Sequence, residues 1–132
     1  MQEVIIMNPQ ELKYTPDHEW VRIENDLVYV GITDHAQNAL GDIVYVDLPK
    51  PGAALAAGKA MATVESVKAV AEVFAPLSGS VERANDALDG APELLNEAPY
   101  DGWIAVIRFS SPAELETLLD AAAYEALCAK EG

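Results

Sequence analysis

Lys68 is the residue of this sequence that is best placed to do chemistry. It lies at the middle of VESVKAVAEVF (residues 64–74), a β-prone run that contains no glycine or proline. A lysine in such a run ordinarily faces outward and protects a sheet edge, but that explanation requires more polar alternation than this run has. We therefore expect two strands that meet at Lys68 and hold its amine at the tip of a tight hairpin, accessible to a modifying enzyme. Because neither Val67 nor Ala69 is glycine, the turn should need no positive φ.

The other lysines and polar residues form no comparable site. Each remaining lysine lies beside turn residues, in the irregular segment before the first predicted strand or near the C-terminal end, where a solvated amine is ordinary: Lys13, Lys50, Lys59 and Lys130. His18 and His35 are far apart and have no cysteine or acidic residue at zinc-like spacing beside them, so we predict no metal site. Ser78 follows a proline-leucine pair and has only one flanking glycine, which indicates a turn and not a nucleophile.

The composition limits the class of protein. The chain has 132 residues, 22 of them acidic and 8 basic, and a formal net charge of -14, which would repel the phosphates of a nucleic acid. No apolar run approaches the roughly 20 residues of a membrane span, and the start MQEVIIMNPQ is unlike a signal or transit peptide. We therefore expect a cytoplasmic, monomeric protein without nucleic-acid or membrane partners. A single domain should span residues 13–132, after a mobile or loosely docked arm at 1–12.

Short strands separated by turn signals predict a mainly β fold. Residues 20–24 and 27–32 should form a hairpin across Asn25-Asp26, and residues 33–41 a short helix that ends at Gly41. Further strands are predicted at residues 42–48, 60–67, 69–74, 80–84 and 103–109. The last strand is apolar on both faces apart from Arg108, so we expect it to be central in its sheet. Strands at this spacing favour a sandwich or a barrel.

Helices are predicted at the C-terminal end of the chain. Ser111 as N-cap, Pro112 at the first helical position and Glu114 in a capping box predict one helix, on which three leucines should share a face: Leu115, Leu118 and Leu119. Asp120 would cap a second helix, whose buried face should hold Tyr124, Leu127 and Cys128. As the only cysteine, Cys128 cannot form an intrachain disulfide, and we expect it to be a small buried hydrophobe.

The sequence contains several ordered blocks at distinctive spacing. They are KYTP (13–16) with HEWV (18–21), VGITDHAQ (30–37), LGDIVYVDLP (40–49), VESVKAV (64–70) with APLSG (75–79), and PELLN (92–96) with PY (99–100) and GW (102–103). These blocks resemble the H proteins of the glycine cleavage system, which are lipoyl carriers. Together they run from about Lys13 to Leu127, and ordered blocks are far more specific than one motif. The resemblance implies a barrel-sandwich hybrid of the lipoyl/biotinyl type, with a short helix after the first hairpin and C-terminal helices.

The resemblance also implies the cofactor and the partners. Lys68 would carry lipoic acid covalently, and Glu65 and Gly79 would help a lipoate ligase or a lipoyl/octanoyl transferase to recognise the hairpin. The partners would be the PLP-dependent glycine decarboxylase, the tetrahydrofolate-dependent aminomethyltransferase and the FAD-containing dihydrolipoamide dehydrogenase. The protein would be a substrate of these enzymes and not a catalyst, because the cofactor supplies the chemistry.

A carrier of this kind needs a protected place for its arm. An aminomethyl group on the lipoyl sulfur is cationic and labile to water, so we expect an acidic cleft that shields it. We predict this arm-resting cleft at Glu19, with Asp17, His18 and Glu72 nearby. Ordinary surface or hairpin packing is the alternative explanation for these four residues.

Other functions compete with this interpretation. A biotin carrier should have methionines beside its lysine, and a lipoyl domain of a 2-oxoacid dehydrogenase should have an acidic residue directly before it and no HEW block. An enzyme that uses Lys68 as a Schiff-base amine should desolvate it among acid–base partners, whereas the neighbours here are aliphatic. A relay that donates lipoyl groups to other lipoyl proteins would have the same motif, so this alternative stays open.

Overall fold

Two antiparallel sheets form the body of the computed structural model, which describes residues 9–131. The strands in this part of the chain are β1 (Lys13–Tyr14), β2 (Glu19–Glu24), β3 (Leu27–Ile32), β4 (Ile43–Asp47), β5 (Ala54–Leu55), β6 (Ala60–Ser66), β7 (Val70–Phe74), β8 (Gly79–Ala84) and β9 (Ala105–Phe109). The larger sheet has the order β1-β2-β3-β9-β8-β5 and the smaller one has the order β4-β6-β7. The predicted mainly β, barrel-sandwich architecture is confirmed, and β9 is central as expected.

The helices are α1 (Asp34–Leu40), α2 (Ala87–Gly90), α3 (Leu94–Glu97), a 3₁₀ helix (Pro112–Thr117) and α4 (Ala121–Glu131). The predicted short helix after the first hairpin is α1. It begins after Thr33, whose side chain accepts a hydrogen bond from the backbone N–H of Ala36, and it ends at Gly41 with a φ of 80°. Within residues 9–131, none of the helices is both long and apolar enough to cross a membrane.

Side chains from both sheets pack into one main core. Val28 and Val30 of β3 contribute from the larger sheet, and Val64 and Val73 of the β6–β7 pair contribute from the smaller one. A second buried cluster lies beneath α4 and consists of Leu12, Tyr14, Trp20, Ala121 and Tyr124. The β6–β7 hairpin is therefore attached to the core along its strands.

The prediction of a capping box in the first C-terminal helix is wrong. The segment is a 3₁₀ helix, and the Ser111 side chain makes no capping hydrogen bond. The Glu114 carboxylate instead accepts hydrogen bonds from the backbone N–H of Ser78 at 2.8 Å and from its hydroxyl at 2.9 Å. Tertiary contact with the loop before β8 therefore replaces the local cap.

The shared leucine face is also wrong, because Leu115 and Leu118 pack on the main core while Leu119 packs on the second cluster. The second C-terminal helix is as predicted. Asp120 accepts a hydrogen bond from the backbone N–H of Ala123 at 2.8 Å, and Tyr124 is fully buried. Cys128 is half-buried and not fully enclosed.

The predicted N-terminal arm is described only from residue 9 onward. Leu12 is buried in the second cluster, and the Tyr14 hydroxyl donates to the Pro9 carbonyl at 2.6 Å. Residues 1–8 lie outside the described part of the chain. Pro9 and Leu12 of the predicted arm thus contact the domain, while Gln10 and Glu11 are exposed.

Candidate functional site: the lysine hairpin and its cleft

The hairpin tip consists of Val67, Lys68 and Ala69, between the last strand pair Glu65↔Val70. The serine that precedes the tip closes it. The backbone N–H of Ser66 donates to the Ala69 carbonyl at 2.8 Å, and the Ser66 hydroxyl oxygen accepts from the N–H of Ala69 at 3.0 Å and of Lys68 at 3.3 Å. The Ser66 side chain thus accepts hydrogen bonds from two backbone N–H groups of a turn that contains no glycine.

No residue of the tip has a positive φ. In the described chain, the non-glycine residues with positive φ are His18 and Asn25. The prediction of a turn without positive φ at Lys68 or its neighbours is therefore confirmed, and the hydrogen bonds to Ser66 are its physical cause.

The Lys68 side chain is exposed and lies against the end of α1. A Cβ added to Gly41 would be 3.4 Å from the Lys68 Cε, so the lysine stem runs beside the residue that terminates this helix. Within residues 9–131, the Lys68 amine makes no hydrogen bond or ion pair. Val67 is 68% exposed and Val70 is 66% exposed. The amine is therefore free, and the hairpin also exposes two apolar side chains close to Lys68 in sequence.

Glu65 and Gly79 lie at opposite ends of the hairpin. Glu65 is the last residue of β6 that pairs with β7 before the tip. Gly79 lies near the base, because the adjacent Ser78 hydroxyl accepts a hydrogen bond from the N–H of Ala57, just before β6, at 3.0 Å. A Cβ at Gly79 would come within 2.1 Å of the Arg108 carbonyl oxygen. The close approach of β8 to β9 therefore requires glycine at this position for a structural reason.

A cavity of about 200 Å³ lies between α1 and the β6–β7 hairpin. Its walls are mainly apolar and are formed by Ile32, Ala36, Ala39, Leu40, Val64, Ala71 and Val73. Its polar lining consists of Asp17, His18, Glu19 and Glu72, the four residues that the sequence assigned to one cleft. Leu40 is adjacent to Gly41, so the Lys68 stem lies beside the end of the helix that forms one wall.

Glu19 is the most unusual side chain of this cavity, since it is a carboxyl group with only 2% exposure. Its Oε1 accepts a hydrogen bond from the Thr15 hydroxyl at 2.5 Å, and its Oε2 accepts one from the backbone N–H of Phe74 at 3.0 Å. Burial raises the pKa of Glu19 to about 7, although both hydrogen bonds oppose the rise. The carboxyl group can therefore gain or lose its proton near neutral pH.

A second cavity of about 390 Å³ shares Asp17 and Glu19 with the first. Its other lining residues include Ala57, Gly58 and Pro76, which lie at the base of the hairpin. The first cavity is the better candidate for an arm from Lys68, because α1 and the facing strands lead into it from the tip. Glu19 lies between the two cavities.

The fold also brings His18, His35 and Cys128 together. One possible ligand atom from each of the three lies within 4.8 Å of the others. The histidine rings are stacked with centroids 4.3 Å apart. Sequence spacing argued against a metal site because the three residues come from the loop before β2, from α1 and from α4, and only tertiary packing joins these elements.

Known proteins match the chain over nearly its whole length. The family profile described as Glycine cleavage H-protein matches residues 12–131. A glycine cleavage system H protein of Salmonella arizonae is 56% identical over 125 residues, which cover 93% of this chain and 97% of that protein. One from Syntrophomonas wolfei is 48% identical over 123 residues, with coverage of 93% and 95%.

A solved structure agrees with the sequence matches. The crystal structure of a glycine cleavage system H protein from Mycobacterium marinum superposes with a TM-score of 0.82 at 37% identity and covers 89% of this chain and 96% of that one. The sequence matches and the superposition therefore agree on one family. The chain belongs to the glycine cleavage H-protein family.

Proposed function

We propose that Lys68 is the lipoylated residue of this chain and that the cavity between α1 and the β6–β7 hairpin is the resting place of the lipoyl arm. As a member of its family, the chain is a lipoyl-carrying shuttle of the glycine cleavage system and not a catalyst. The observation that carries the assignment to Lys68 is its free amine on a tip closed by backbone and Ser66 hydrogen bonds. An amine in this setting can enter the active site of a modifying enzyme without any change in the fold.

The surroundings of Lys68 fit an amide-linked arm. The Lys68 side chain is exposed, and Gly41 offers no side chain against its stem. When it is bound, the lipoyl group supplies a disulfide that can accept an aminomethyl group and can be regenerated by thiol–disulfide exchange. The protein therefore contributes position, mobility and shelter.

The cavity fits both parts of a loaded arm. Its aliphatic walls can cover the hydrocarbon chain, and its acidic end can hold a cationic group at Asp17, Glu19 and Glu72. Glu72 is four residues beyond Lys68 on the chain, about 13 Å along an extended strand, which suits a lysine stem extended by a long acyl chain. A buried carboxylate is destabilised by desolvation, so a cation that pairs with Glu19 would favour its ionised form.

The proposed partners follow from this role. They are the PLP-dependent glycine decarboxylase, the folate-dependent aminomethyltransferase and the flavin-containing dihydrolipoamide dehydrogenase, together with a lipoate ligase or lipoyl/octanoyl transferase. Glu65 is adjacent to the tip, which supports its proposed recognition by the lipoylating enzyme. For Gly79 the close contact with β9 supports an indirect contribution, through the geometry of the hairpin base. A cytoplasmic location and a monomeric state stay predictions.

The cleft is tested by the lifetime of the loaded form. The lipoylated protein is charged with the aminomethyl group, and intact mass spectrometry follows its loss with time. We expect Glu19→Ala and Glu72→Ala to lose the group faster than the parent, because water then reaches the arm and the cation has lost a partner. Glu116→Ala is the matched control, since Glu116 is exposed on the 3₁₀ helix. Equal rates in all four proteins would contradict the cleft assignment.

The lipoate relay is distinguished by a transfer assay. Purified lipoylated protein is incubated with glycine and the decarboxylase, and separately with an unmodified lipoyl domain and the enzymes that transfer lipoyl groups. The shuttle predicts uptake of the aminomethyl group in the first reaction. Failure there, combined with donation of the lipoyl group in the second, would favour the relay.

A further inference from the structure

We propose that His18, His35 and Cys128 form a binding site for a zinc ion, separate from the lysine that carries the arm. The chain has two histidines and one cysteine in its whole sequence, and the fold gathers all three. Their possible ligand atoms lie within 4.8 Å of one another. Two imidazoles and a thiolate are the donor set that zinc prefers, and neither magnesium nor calcium selects it.

One donor of this site is left without a partner by the fold. The Nδ1 of His35 is buried and has no hydrogen-bond partner in the described residues. A buried polar atom without a partner is costly and requires an explanation. A metal ion at this point would supply the missing interaction, because neutral imidazole nitrogen is a common metal ligand.

His18 is held in place on both sides of its ring. The Tyr124 hydroxyl lies 2.7 Å from Nδ1, and a carboxylate oxygen of Glu131 lies 2.9 Å from Nε2. Tyr124 also hydrogen-bonds to the Thr33 hydroxyl at 2.6 Å. Whichever nitrogen of His18 binds the metal, the other keeps a hydrogen-bond partner, which is the outer-shell support that metal-ligating histidines require.

The cluster requires only a small adjustment to bind zinc. Bond lengths of about 2.0 Å to nitrogen and 2.3 Å to sulfur place tetrahedral donors roughly 3.5 Å apart, so the three donors must close by about 1 Å. Cys128 is half-buried on α4, and both histidines have intermediate exposure, so side-chain rotations can achieve this. Binding replaces the thiol proton of Cys128 by the metal and releases that proton to solvent.

Zinc at this site would connect three separate elements. His18 precedes β2, His35 belongs to α1 and Cys128 belongs to α4. His18 also lines the cavity assigned to the arm. The ion would therefore fix the C-terminal helix against the wall of that cavity and would exclude Cys128 from exchange with the lipoyl sulfurs.

Cobalt and zinc titrations of the full-length, reduced chain test the site. The protein is used without a lipoyl group, as verified by intact mass, so that no other sulfur near the site can bind the metal. We expect one Zn²⁺ per chain by calorimetry. Co²⁺ should give the intense visible bands of a tetrahedral site and a thiolate-to-cobalt charge-transfer band. Zinc should also raise the thermal midpoint of unfolding.

Two single variants and a control decide the outcome. Cys128→Ser and His35→Gln should each weaken zinc binding at least tenfold, since the loss of even an outer-shell partner costs about 10- to 100-fold, and Cys128→Ser should remove the charge-transfer band. Glu116→Gln should bind as the parent does. Absence of stoichiometric zinc binding by the parent would overturn the proposal. So would unchanged affinity in both variants, because the acidic surface would then be the binding site.

Discussion

The two ends of strand β7 hold their functional side chains in different ways. Before its first residue, Lys68 lies on a tip that is closed by hydrogen bonds to Ser66, two positions away. At its last residue, the N–H of Phe74 donates to the Glu19 carboxylate, which comes from another sheet and is 2% exposed. The turn of the tip is closed by local hydrogen bonds to Ser66 and leaves its lysine free, although the N–H of Val67 also donates to the Asp42 carbonyl at 3.0 Å. The other end is organised by long-range contacts that bury a carboxyl group.

This difference matches the two tasks that we assign. An attachment point must be reached by several enzymes, so it gains from exposure and from a fold that does not depend on it. A resting cleft must exclude water, so it must be built from elements that pack together. The predictions below alter one end at a time and begin with the largest expected effect.

Gly79→Ala should destabilise the base of the hairpin by roughly 3–5 kcal/mol. The new Cβ would lie 2.1 Å from the Arg108 carbonyl oxygen, at a φ of 156°, so the β8–β9 pair would have to move. Urea unfolding measures the loss of stability. Gly90→Ala is the control, because a Cβ added at Gly90 would have no neighbouring atom within 4 Å. If Gly79→Ala were as stable as the parent but poorly lipoylated, Gly79 would be a direct recognition residue.

Glu19→Gln should change how stability depends on pH. Burial raises the pKa of Glu19 from 4.5 to about 7, so between these values the folded state binds more protons than the unfolded state. Stability should therefore fall as pH rises from 4.5 to 7, by about 3 kcal/mol, and should be unaffected by this group below that window. The neutral glutamine removes this slope, at the cost of one weakened hydrogen bond. Urea unfolding at several pH values measures it, with Glu116→Gln as control, and identical pH profiles for parent and Glu19→Gln would contradict the account.

Sequence patterns were sufficient for the tip and insufficient for much of the cleft. The β-prone composition of residues 60–74, the single lysine and the absence of glycine are local, so the hairpin and its turn could be predicted. The burial of Glu19 depends on Thr15 and on Phe74, a residue of the other sheet, and no local pattern contains that pairing. The cluster of His18, His35 and Cys128 was missed for the same reason.

Ser66→Ala should cost about 1 kcal/mol of stability, because the backbone N–H groups of Lys68 and Ala69 lose their shared acceptor. The effect should be confined to the tip. Amide hydrogen exchange should therefore speed up at these two residues and stay unchanged at Phe74. Ser110→Ala, an exposed serine near β9, is the matched control. Faster exchange at Phe74 would show that the two ends of β7 are coupled.

Val70→Thr should have the smallest effect on stability, within about 0.5 kcal/mol, since the side chain is 66% exposed. It should nevertheless slow lipoylation about fourfold. This factor corresponds to about 0.8 kcal/mol, the free energy expected for the loss of one apolar contact with the modifying enzyme. Initial rates by intact mass measure it, with Ile23→Thr as the control, because Ile23 is an apolar residue of β2 that is also exposed, at 40%. Equal rates would show that the apolar surface of the tip does not contact that enzyme.

The assignment of the arm to Lys68 is tested most directly by intact mass after incubation with a lipoate ligase, lipoate and ATP. The parent should gain the mass of one lipoyl group. Lys59→Arg, at the base of the same hairpin, should gain it as well, and Lys68→Arg should gain nothing. A lipoyl group on Lys68→Arg, or none on the parent, would contradict the account.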